Sequence, residues 1–592
     1  MQQDGVSQRT LGLLALSLLA VVVGIVTGFG AIVFRDLISV IHNLLFFGRL
    51  SAVYNANVYN PASPLGPAIM LVPVIGGLGV VLLVTKFAPE ARGHGVPEVM
   101  DAIFYRDGKI RPVVAAVKSL ASALAIGSGS SVGREGPIIQ IGASLGSTTG
   151  QIVRLEAWQR ITLVAAGAGA GIAATFNTPI GGVMFAIELM MPEVSVRTFL
   201  PVALATGAAT FVGNWFLGPQ PAFAVPTLPA LTHQPSAMVA LGLYGLLGAV
   251  MGVAAAAFVH TLSAAEDGFE RIENPYLRHT IGMLLVGILI YVLFHFYGRY
   301  YVEGVGYATI QALLTGQLAP LAILPLLYVA KLAATSTSLG SGASGGIFSP
   351  SLYMGATLGG AFGLVVSMIH PIHDAGIANF AIVGMAAMVA GGTGAAMTAV
   401  TMIFEMTRDY ALVMPMILAV AMAIGVRRVL SRENIYTVKL VGRKHLIPKA
   451  LHANMFLVRH ANEIMDKDVV ILPATTDLDA FLRQPEHQGA MKHVVVIRNN
   501  RIFGVLRVNT ALRRGLEDAY TGVTLGDVAQ HDFTIAREDD IAFDVIKRMW
   551  RRGGAMAVVV GGKGIPTDAD VKGIITKEHV ADSVADSIKG YD

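Results

Sequence analysis

Apolar stretches of membrane-spanning length are the feature of this sequence that most restricts its fold. Segments such as Leu11–Phe34 and Pro67–Phe87 are almost entirely apolar and reach the roughly 20 residues that a helix needs to cross a bilayer. Of the 592 residues, 54% are hydrophobic and only 14% are charged, whereas a soluble protein carries about 25% charged residues. The sequence therefore predicts a polytopic α-helical membrane protein.

Composition also excludes several classes of function. The chain has no cysteine, so it can form neither disulfides nor thiolate metal sites. Its formal net charge of +4 gives no reason to expect a nucleic-acid partner. We expect no metal site from sequence spacing.

A different kind of sequence begins after about residue 440. Two similar units, about 460–520 and 524–588, each contain β-branched runs that predict a hairpin followed by a helix, with a helical segment before it. The region 441–592 is therefore predicted to be a small α/β domain. A basic cluster around its start predicts a cytoplasmic location by the positive-inside rule; its members are Arg427, Arg428, Lys439, Arg443 and Lys444.

The membrane part, residues 1–440, contains an internal duplication. The segment Lys118–Gly146 matches Lys331–Gly359, 213 residues later, and Gly171–Glu188 matches Met388–Glu405 at an offset of 217. The two repeats run from about 10 to 220 and from about 235 to 440. Duplicated halves with glycine- and proline-broken segments are typical of transporters, whose substrate site lies between the repeats. The residues themselves leave open whether the halves are inverted.

The broken segments predict helices that begin inside the membrane. Pro137 and Pro350 follow glycine-rich turns, and Gly93–Val99 has the same character. Proline suits the first turn of a helix, and the free N–H groups at such a start attract an anion. Backbone of this kind is tolerated at membrane depth only within protein or beside a water-filled cavity.

Glu135 is an acidic residue at one of these helix starts, where the matching repeat has Phe348. A carboxylate could occupy the anion site itself and leave it on protonation, which would make Glu135 a gate. The alternative is a structural charge that favours the helix dipole, with Arg134 as its partner. Because Phe348 shows that the repeat folds without a charge here, we favour the gate.

The motifs GHGVP (Gly93–Pro97), GREGP (Gly133–Pro137) and GGIFSP (Gly345–Pro350), with the later Tyr436, resemble those of the CLC family of chloride channels and proton-coupled chloride exchangers. The tail resembles paired CBS domains. This resemblance implies an inverted-repeat α-helical fold, a homodimer with one anion pathway per subunit, and a multi-pass protein of a bacterial inner membrane. It implies chloride and other small anions as the transported ions. Because His94 departs from the family's usual residue, nitrate and bromide remain alternatives to chloride, whereas fluoride is not expected.

By position in these motifs, Glu135 corresponds to the gating glutamate. His94 stands where the family usually has serine, and its ring could donate to the anion or point away. Tyr436 would offer its hydroxyl, although an interfacial tyrosine is the alternative. The resemblance implies that the anion-binding residues are His94, Gly95, Gly133, Arg134, Glu135, Gly136, Ile347, Phe348 and Tyr436.

Leu189 departs from the exchangers of this family, many of which carry a proton-transferring glutamate at that position. Leucine cannot carry a proton, so we favour a passive anion channel, with proton-coupled exchange as the alternative. Glu193 is a nearby carboxylate that could substitute. Neither Thr576–His579 nor Arg507–Thr510 has the aspartate with which CBS pairs hold ribose, so we expect no cofactor and weak nucleotide binding at most.

Two functions of other classes remain as distant alternatives. The segment Gly342–Gly345 matches the Gly-x-Ser-Gly motif of rhomboid intramembrane proteases, with Ser344 as nucleophile and His370 or His373 as its base. Ser344 aligns with Ser131 in the other repeat, and a nucleophile would not be expected twice. A sensor with a mere membrane anchor would not need broken helices, so we do not expect an enzyme or a sensor.

Overall fold

The computed structural model describes residues 9–225, 235–318, 320–369, 376–445, 458–483, 492–508, 522–562 and 566–580. The chain divides into two compact units, Met1–Ile447 and Pro448–Asp592. All regular structure described in the first unit is helical, and all named strands lie in the second.

Eight helices among the described residues are long and apolar enough to cross a membrane. The predicted polytopic helical fold is confirmed. The helices of the first unit are α1 (Leu13–Phe47), α2 (Val72–Lys86), α3 (Val96–Tyr105), α4 (Val113–Gly127), α5 (Glu135–Ile152), α6 (Ala157–Phe176), α7 (Pro179–Phe185), α8 (Val196–Leu217), α9 (Pro235–Glu270), α10 (Pro275–Tyr297), α11 (Tyr307–Leu314), α12 (Leu324–Ser341), α13 (Phe348–Ile369), α14 (Ile377–Thr393), α15 (Ala396–Thr407), α16 (Val413–Leu430) and α17 (Ile435–Gly442).

The order of packing repeats along the chain. Helix α1 packs on α8 and α5 on α6, and in the same way α9 packs on α16 and α13 on α14. Helix α2 contacts α10, its own counterpart, and α7 contacts α15. Matching elements of the two repeats therefore contact each other, as expected where duplicated halves share one interface.

Matched glycines bring the central helices of each repeat into close contact. A Cβ on Gly142 of α5 would lie 2.1 Å from the carbonyl oxygen of Gly167 of α6. In the second repeat, a Cβ on Gly355 of α13 would lie 2.4 Å from the carbonyl oxygen of Gly384 of α14. Small residues of this kind let membrane helices approach backbone to backbone, which packs α5 closely on α6 and α13 closely on α14.

The second unit contains two three-stranded sheets of the same topology. In each sheet a parallel pair is followed by an antiparallel hairpin. The predicted hairpins are present, but the first strand of each sheet was missed by the sequence analysis. The elements are α18 (Ala461–Ile464), β1 (Val469–Pro473), α19 (Leu478–Leu482), β2 (Lys492–Arg498), β3 (Arg501–Val508), α20 (Leu525–Val528), β4 (Phe533–Arg537), α21 (Ala542–Arg551), β5 (Met556–Val560) and β6 (Val571–Thr576).

Apolar residues of both sheets form one shared core in this unit. Val495 and Val505 of the first sheet cluster with Val558 and Ile574 of the second. The prediction of a small α/β domain is confirmed. The helices predicted to follow the hairpins fall largely on 509–521 and 581–592, which lie outside the described residues.

Candidate anion site

The three glycine-rich segments singled out in the sequence meet at the centre of the first unit. The N–H of Gly133 donates to the carbonyl of Gly346 at 2.7 Å, and the N–H of Gly346 donates back to Gly133 at 2.6 Å. The third segment joins them, because Gly93 donates to the carbonyl of Ala343 at 3.2 Å and accepts from the N–H of Gly345 at 3.3 Å. The loop before α3 therefore lies beside the loops before α5 and α13.

Two matched lysines hold the loops that precede α3 and α11. Lys118 donates to the carbonyls of Ala91 and Gly93 at 3.0 and 2.7 Å. Lys331, its counterpart in the second repeat, donates to the carbonyls of Val302 and Gly304 at 3.2 and 2.8 Å. Both side chains are fully buried, where a charged group is stable only when it is hydrogen-bonded. The lysines thus fix irregular backbone next to the site.

Glycine is required where these segments touch. A Cβ on Gly136 would lie 2.2 Å from the carbonyl oxygen of His94. Gly95 has a φ of +82° just before α3, a conformation that residues with a Cβ rarely adopt. The predicted anion-site residues His94, Gly95 and Gly136 are thereby brought together.

Glu135 is the first residue of α5 and is only 1% exposed. Its Oε2 accepts from the backbone N–H of Ser349 at 3.2 Å, and its Oε1 accepts from the Ser349 hydroxyl at 2.5 Å. The Tyr307 hydroxyl also donates to Oε1. Since Ser349 lies in the first turn of α13, the carboxylate of one repeat occupies the positive end of a helix of the other.

The space for this carboxylate depends on a missing side chain. A Cβ on Gly133 would lie 2.3 Å from Glu135 Oε2 and 3.0 Å from Ser349 Oγ. The carboxylate therefore sits in a cradle made by Gly133, Ser349 and Tyr307. The cradle provides three donors to the carboxylate: the N–H and the hydroxyl of Ser349 and the hydroxyl of Tyr307. N–H and O–H groups are the donors that an anion needs.

Tyr307 and Ser349 are site residues that the sequence analysis did not single out. Ser349 lies within the GGIFSP motif, directly after Ile347 and Phe348, the two residues of this motif that the resemblance predicts at the anion. Tyr307 ends the segment Gly304–Tyr307, which copies Gly93–Val96 at an offset of 211 residues. This second copy lacks the proline of the first, so it does not show the glycine–proline pattern.

His94 and Tyr436 lie close together, as the resemblance implies. Their ring centroids are 5.9 Å apart, and both residues are buried. Nδ1 of His94 is buried without a hydrogen-bond partner among the described residues. Whether the His94 ring donates to the anion or points away from it therefore depends on which group lies opposite Nδ1.

Arg134 and Phe348 face an aromatic group and not the carboxylate. The Arg134 guanidinium lies 5.2 Å from the ring centre of Tyr307 and 5.9 Å from that of Phe176, an arrangement that favours a cation. Phe348 packs on Phe176 with ring centres 6.0 Å apart, and Ile347 just before it is buried. Glu135 is thus held by Ser349 and Tyr307, where the structural alternative expected Arg134.

A cavity of about 320 Å³ adjoins the site. Its wall includes Arg134 and Tyr307, together with Arg35 and His42. Because Tyr307 also donates to Glu135, its side chain connects this cavity with the buried carboxylate. Arginine side chains in the wall make the cavity attractive to anions.

Two matched glutamates contact the opposite repeat. Glu188 accepts from the backbone N–H groups of Met397 and Thr398, at 3.1 and 2.9 Å, at the start of α15. Glu405 accepts from those of Ile180 and Gly181, at 3.0 and 2.7 Å, at the start of α7. These reciprocal bonds stabilise helix starts, so Glu188 has a structural contact.

Leu189 lies beside Glu188 in a short π-helical turn, Ala186–Met190. Its side chain is half-buried and offers no group that can bind a proton. Ser344, the nucleophile of the protease alternative, donates to the carbonyl of Ala91 at 2.7 Å. His370 and His373 lie outside the described residues.

The chain matches a known protein family and relatives of known name. The family described as "Voltage gated chloride channel" matches residues 76–428. The H(+)/Cl(-) exchange transporter ClcA of Vibrio parahaemolyticus is 35% identical over 382 residues, which cover 63% of this chain and 79% of that protein. The ClcA of Salmonella paratyphi B is 32% identical over 420 residues, covering 69% and 85%.

A solved structure with a similar fold extends the match. A slow cyanobacterial Cl-/H+ antiporter superimposes with a TM-score of 0.64 at 25% identity, covering 74% of this chain and 99% of its own. The sequence match over most of the membrane unit and the shared fold agree with the GHGVP, GREGP and GGIFSP motifs of this chain. The chain belongs to the voltage gated chloride channel family, CLC, whose members transport anions across membranes.

Proposed function

We propose that the protein exchanges chloride for protons, and that Glu135 takes part in both movements. The observation that carries this proposal is the position of its carboxylate in the cradle of Gly133, Ser349 and Tyr307. It binds there to donors that a chloride ion could use. One site would therefore accept either the ionised side chain or the anion.

Protonation supplies the coupling in this proposal. An ionised carboxylate forms strong, charge-assisted bonds with the N–H and O–H groups of Ser349 and Tyr307. A proton removes the charge, weakens these bonds and cancels the attraction to the helix start. Chloride then takes the vacated donors, and the neutral side chain carries the proton. Each cycle of the gate would exchange one kind of ion for the other.

The relatives favour exchange over the passive channel that the sequence analysis preferred. The Vibrio and Salmonella relatives are named exchange transporters, and the cyanobacterial structure is named an antiporter. The family match over residues 76–428 spans the segments that form the cradle here. We therefore place exchange first.

A passive anion channel is the second candidate, and Leu189 is the observation that favours it. This residue cannot bind a proton, and the neighbouring Glu188 already accepts from Met397 and Thr398. A proton that leaves Glu135 would then need another acceptor on its way to the other side of the membrane. Glu193 is the next carboxylate in the sequence after Glu188. Without such an acceptor only chloride would move.

The test is simultaneous measurement of chloride and proton movement in vesicles containing the purified full-length protein. A chloride gradient is imposed with no pH gradient, and external chloride and pH are recorded together. We expect chloride efflux to drive proton uptake into the vesicles against the proton gradient that builds up. In Glu135→Gln, we expect proton uptake to disappear while chloride flux continues.

Glu270→Gln is the matched control. Glu270 is the last residue of α9, its side chain is exposed, and its carboxylate lies 3.5 Å from the Arg92 guanidinium. Both fluxes should remain as in the unmodified protein. Chloride flux without any proton uptake in the unmodified protein would reject exchange in favour of the channel. Proton uptake that persists in Glu135→Gln would reject the role of Glu135.

Further parts of this proposal concern the assembly. We propose a homodimer in which each subunit has its own pathway, located in a bacterial inner membrane, with the α/β tail in the cytoplasm as a CBS pair. The basic residues around the start of the tail support its cytoplasmic location. The bacterial relatives support a bacterial membrane. Chloride is the ion that the relatives' names support, and no enzymatic step is needed.

A further inference from the structure

Three side chains that the transport proposal does not use converge in the α/β tail. Asp466 precedes β1, His493 lies on β2, and His579 follows β6. Oδ2 of Asp466 is 3.8 Å from Nδ1 of His493 and 3.8 Å from Nε2 of His579. The three potential ligand atoms all lie within 4.8 Å of one another.

The backbone fixes this cluster across the two halves of the tail. Asp466 donates to and accepts from the backbone of Ile574 on β6, at 2.9 Å in each direction. His579 follows β6 directly, whereas His493 belongs to the first sheet. The cluster therefore combines ligands from both halves at a place that main-chain bonds already hold.

His493 provides an independent reason to expect a ligand. The residue is only 5% exposed, and both of its ring nitrogens are buried without a hydrogen-bond partner among the described residues. Buried polar groups are nearly always bonded, and an exception calls for a missing partner such as an ion. A neutral imidazole nitrogen offers a metal ion a lone pair.

The separations fit a small metal ion. Zinc binds imidazole nitrogen and carboxylate oxygen at about 2.0–2.2 Å, so tetrahedral ligand atoms lie about 3.4 Å apart. The two separations of 3.8 Å from Asp466, and the third of up to 4.8 Å between the histidine nitrogens, would need an inward movement of the side chains. Two imidazoles and one carboxylate suit zinc or a neighbouring transition metal, whereas calcium and magnesium prefer oxygen ligands.

One hydrogen bond must change when a metal binds. Nδ1 of His579 accepts from the N–H of Thr576 at 3.3 Å, which places the proton of the neutral ring on Nε2. Binding through Nε2 would move that proton to Nδ1 and break this bond. The bond is long for an N–H donor, and the His579 side chain is 24% exposed, so solvent can exchange the proton.

The surrounding charges are compatible with a cation. Arg507 faces His493 across the hairpin, but it forms an ion pair with Glu578 at 2.7 Å. This pair is neutral overall, and Asp466 leaves one net negative charge at the cluster. We propose that Asp466, His493 and His579 bind a divalent transition metal of the zinc class and thereby link the two halves of the tail.

The test uses the full-length protein, purified without a histidine tag and treated with a chelator. Calorimetric titration with Zn²⁺ should show one tight site per chain. Titration with Co²⁺ should produce the visible absorption of a low-coordinate nitrogen and oxygen site. His579→Gln and Asp466→Asn should each weaken binding by about 100-fold or more, since loss of even an indirect partner of a metal ligand costs 10- to 100-fold.

His531→Gln is the matched control, because His531 is exposed on the same tail and bonds to the carbonyl of Phe503 at 3.0 Å. It should keep the tight site. His579 is partly exposed, so its replacement should leave the tail folded, which circular dichroism checks. The proposal would be overturned if the unmodified protein bound no metal ion. It would also be overturned if His579→Gln and Asp466→Asn bound the metal ion as tightly as the unmodified protein.

Discussion

Replacement of Glu135 by glutamine is the perturbation whose size follows most directly from the structure. The carboxylate accepts three hydrogen bonds, from the Ser349 N–H, the Ser349 hydroxyl and the Tyr307 hydroxyl. A bond to a charged group contributes about 1.5–3 kcal/mol, and a bond between neutral groups about 0.5–1.5 kcal/mol. Loss of the charge should therefore weaken the hold on the site by about 1 kcal/mol per bond.

Three such bonds correspond to about 3 kcal/mol, or roughly a 100-fold change in the equilibrium between side chain and anion. If the ionised side chain competes with chloride, Glu135→Gln should lower the apparent dissociation constant for chloride by up to about that factor. Calorimetric titration of the detergent-purified protein with chloride at neutral pH measures this directly. Lowering the pH should bring the unmodified protein toward the variant.

Glu405→Gln is the matched control for this titration. The Glu405 carboxylate also lies at the start of a helix, α7, where it accepts two backbone N–H groups. It does not contact the cradle. Its replacement should leave chloride affinity unchanged. Equal chloride affinity in the unmodified protein and in Glu135→Gln would refute competition for one site.

Other substitutions test the cradle and its supports. Tyr307→Phe removes one donor to Glu135, and we expect weaker pH dependence of chloride flux in vesicles. Gly133→Ala places a Cβ 2.3 Å from the Glu135 carboxylate; this flexible group can move, so a folded protein with reduced proton coupling should result. Gly136→Ala places a Cβ 2.2 Å from the backbone oxygen of His94, which cannot move away; size-exclusion chromatography should show loss of folded protein.

The sequence predicted the place of the site better than its chemistry. The glycine–proline motifs meet as expected because each of them interrupts a helix, and interruption is visible in a single sequence. Tyr307 was missed because its segment copies the first motif without the proline. Ser349 was not predicted because the angle between α5 and α13 decides which amide at the start of α13 faces the Glu135 carboxylate. That angle is not visible in the sequence.

Long-range convergence was the least predictable property. Asp466, His493 and His579 are distributed over three separate segments of the tail, so no ligand spacing was visible. Strands β1 and β4 were missed for a related reason, since each is short and pairs in parallel with a strand that follows a helix. Leu189 favoured a channel from one position alone, whereas the relatives that match much of the membrane unit are named exchange transporters.

The central claim is that the Glu135 carboxylate and a transported anion occupy the same cradle. Anomalous diffraction from crystals of Glu135→Ala grown with bromide tests it most directly. We predict a bromide peak within hydrogen-bond distance of the Ser349 N–H and the Tyr307 hydroxyl, where the carboxylate lies in the unmodified protein. A cradle without a bromide peak, in crystals that show bromide bound elsewhere along the pathway, would contradict the account.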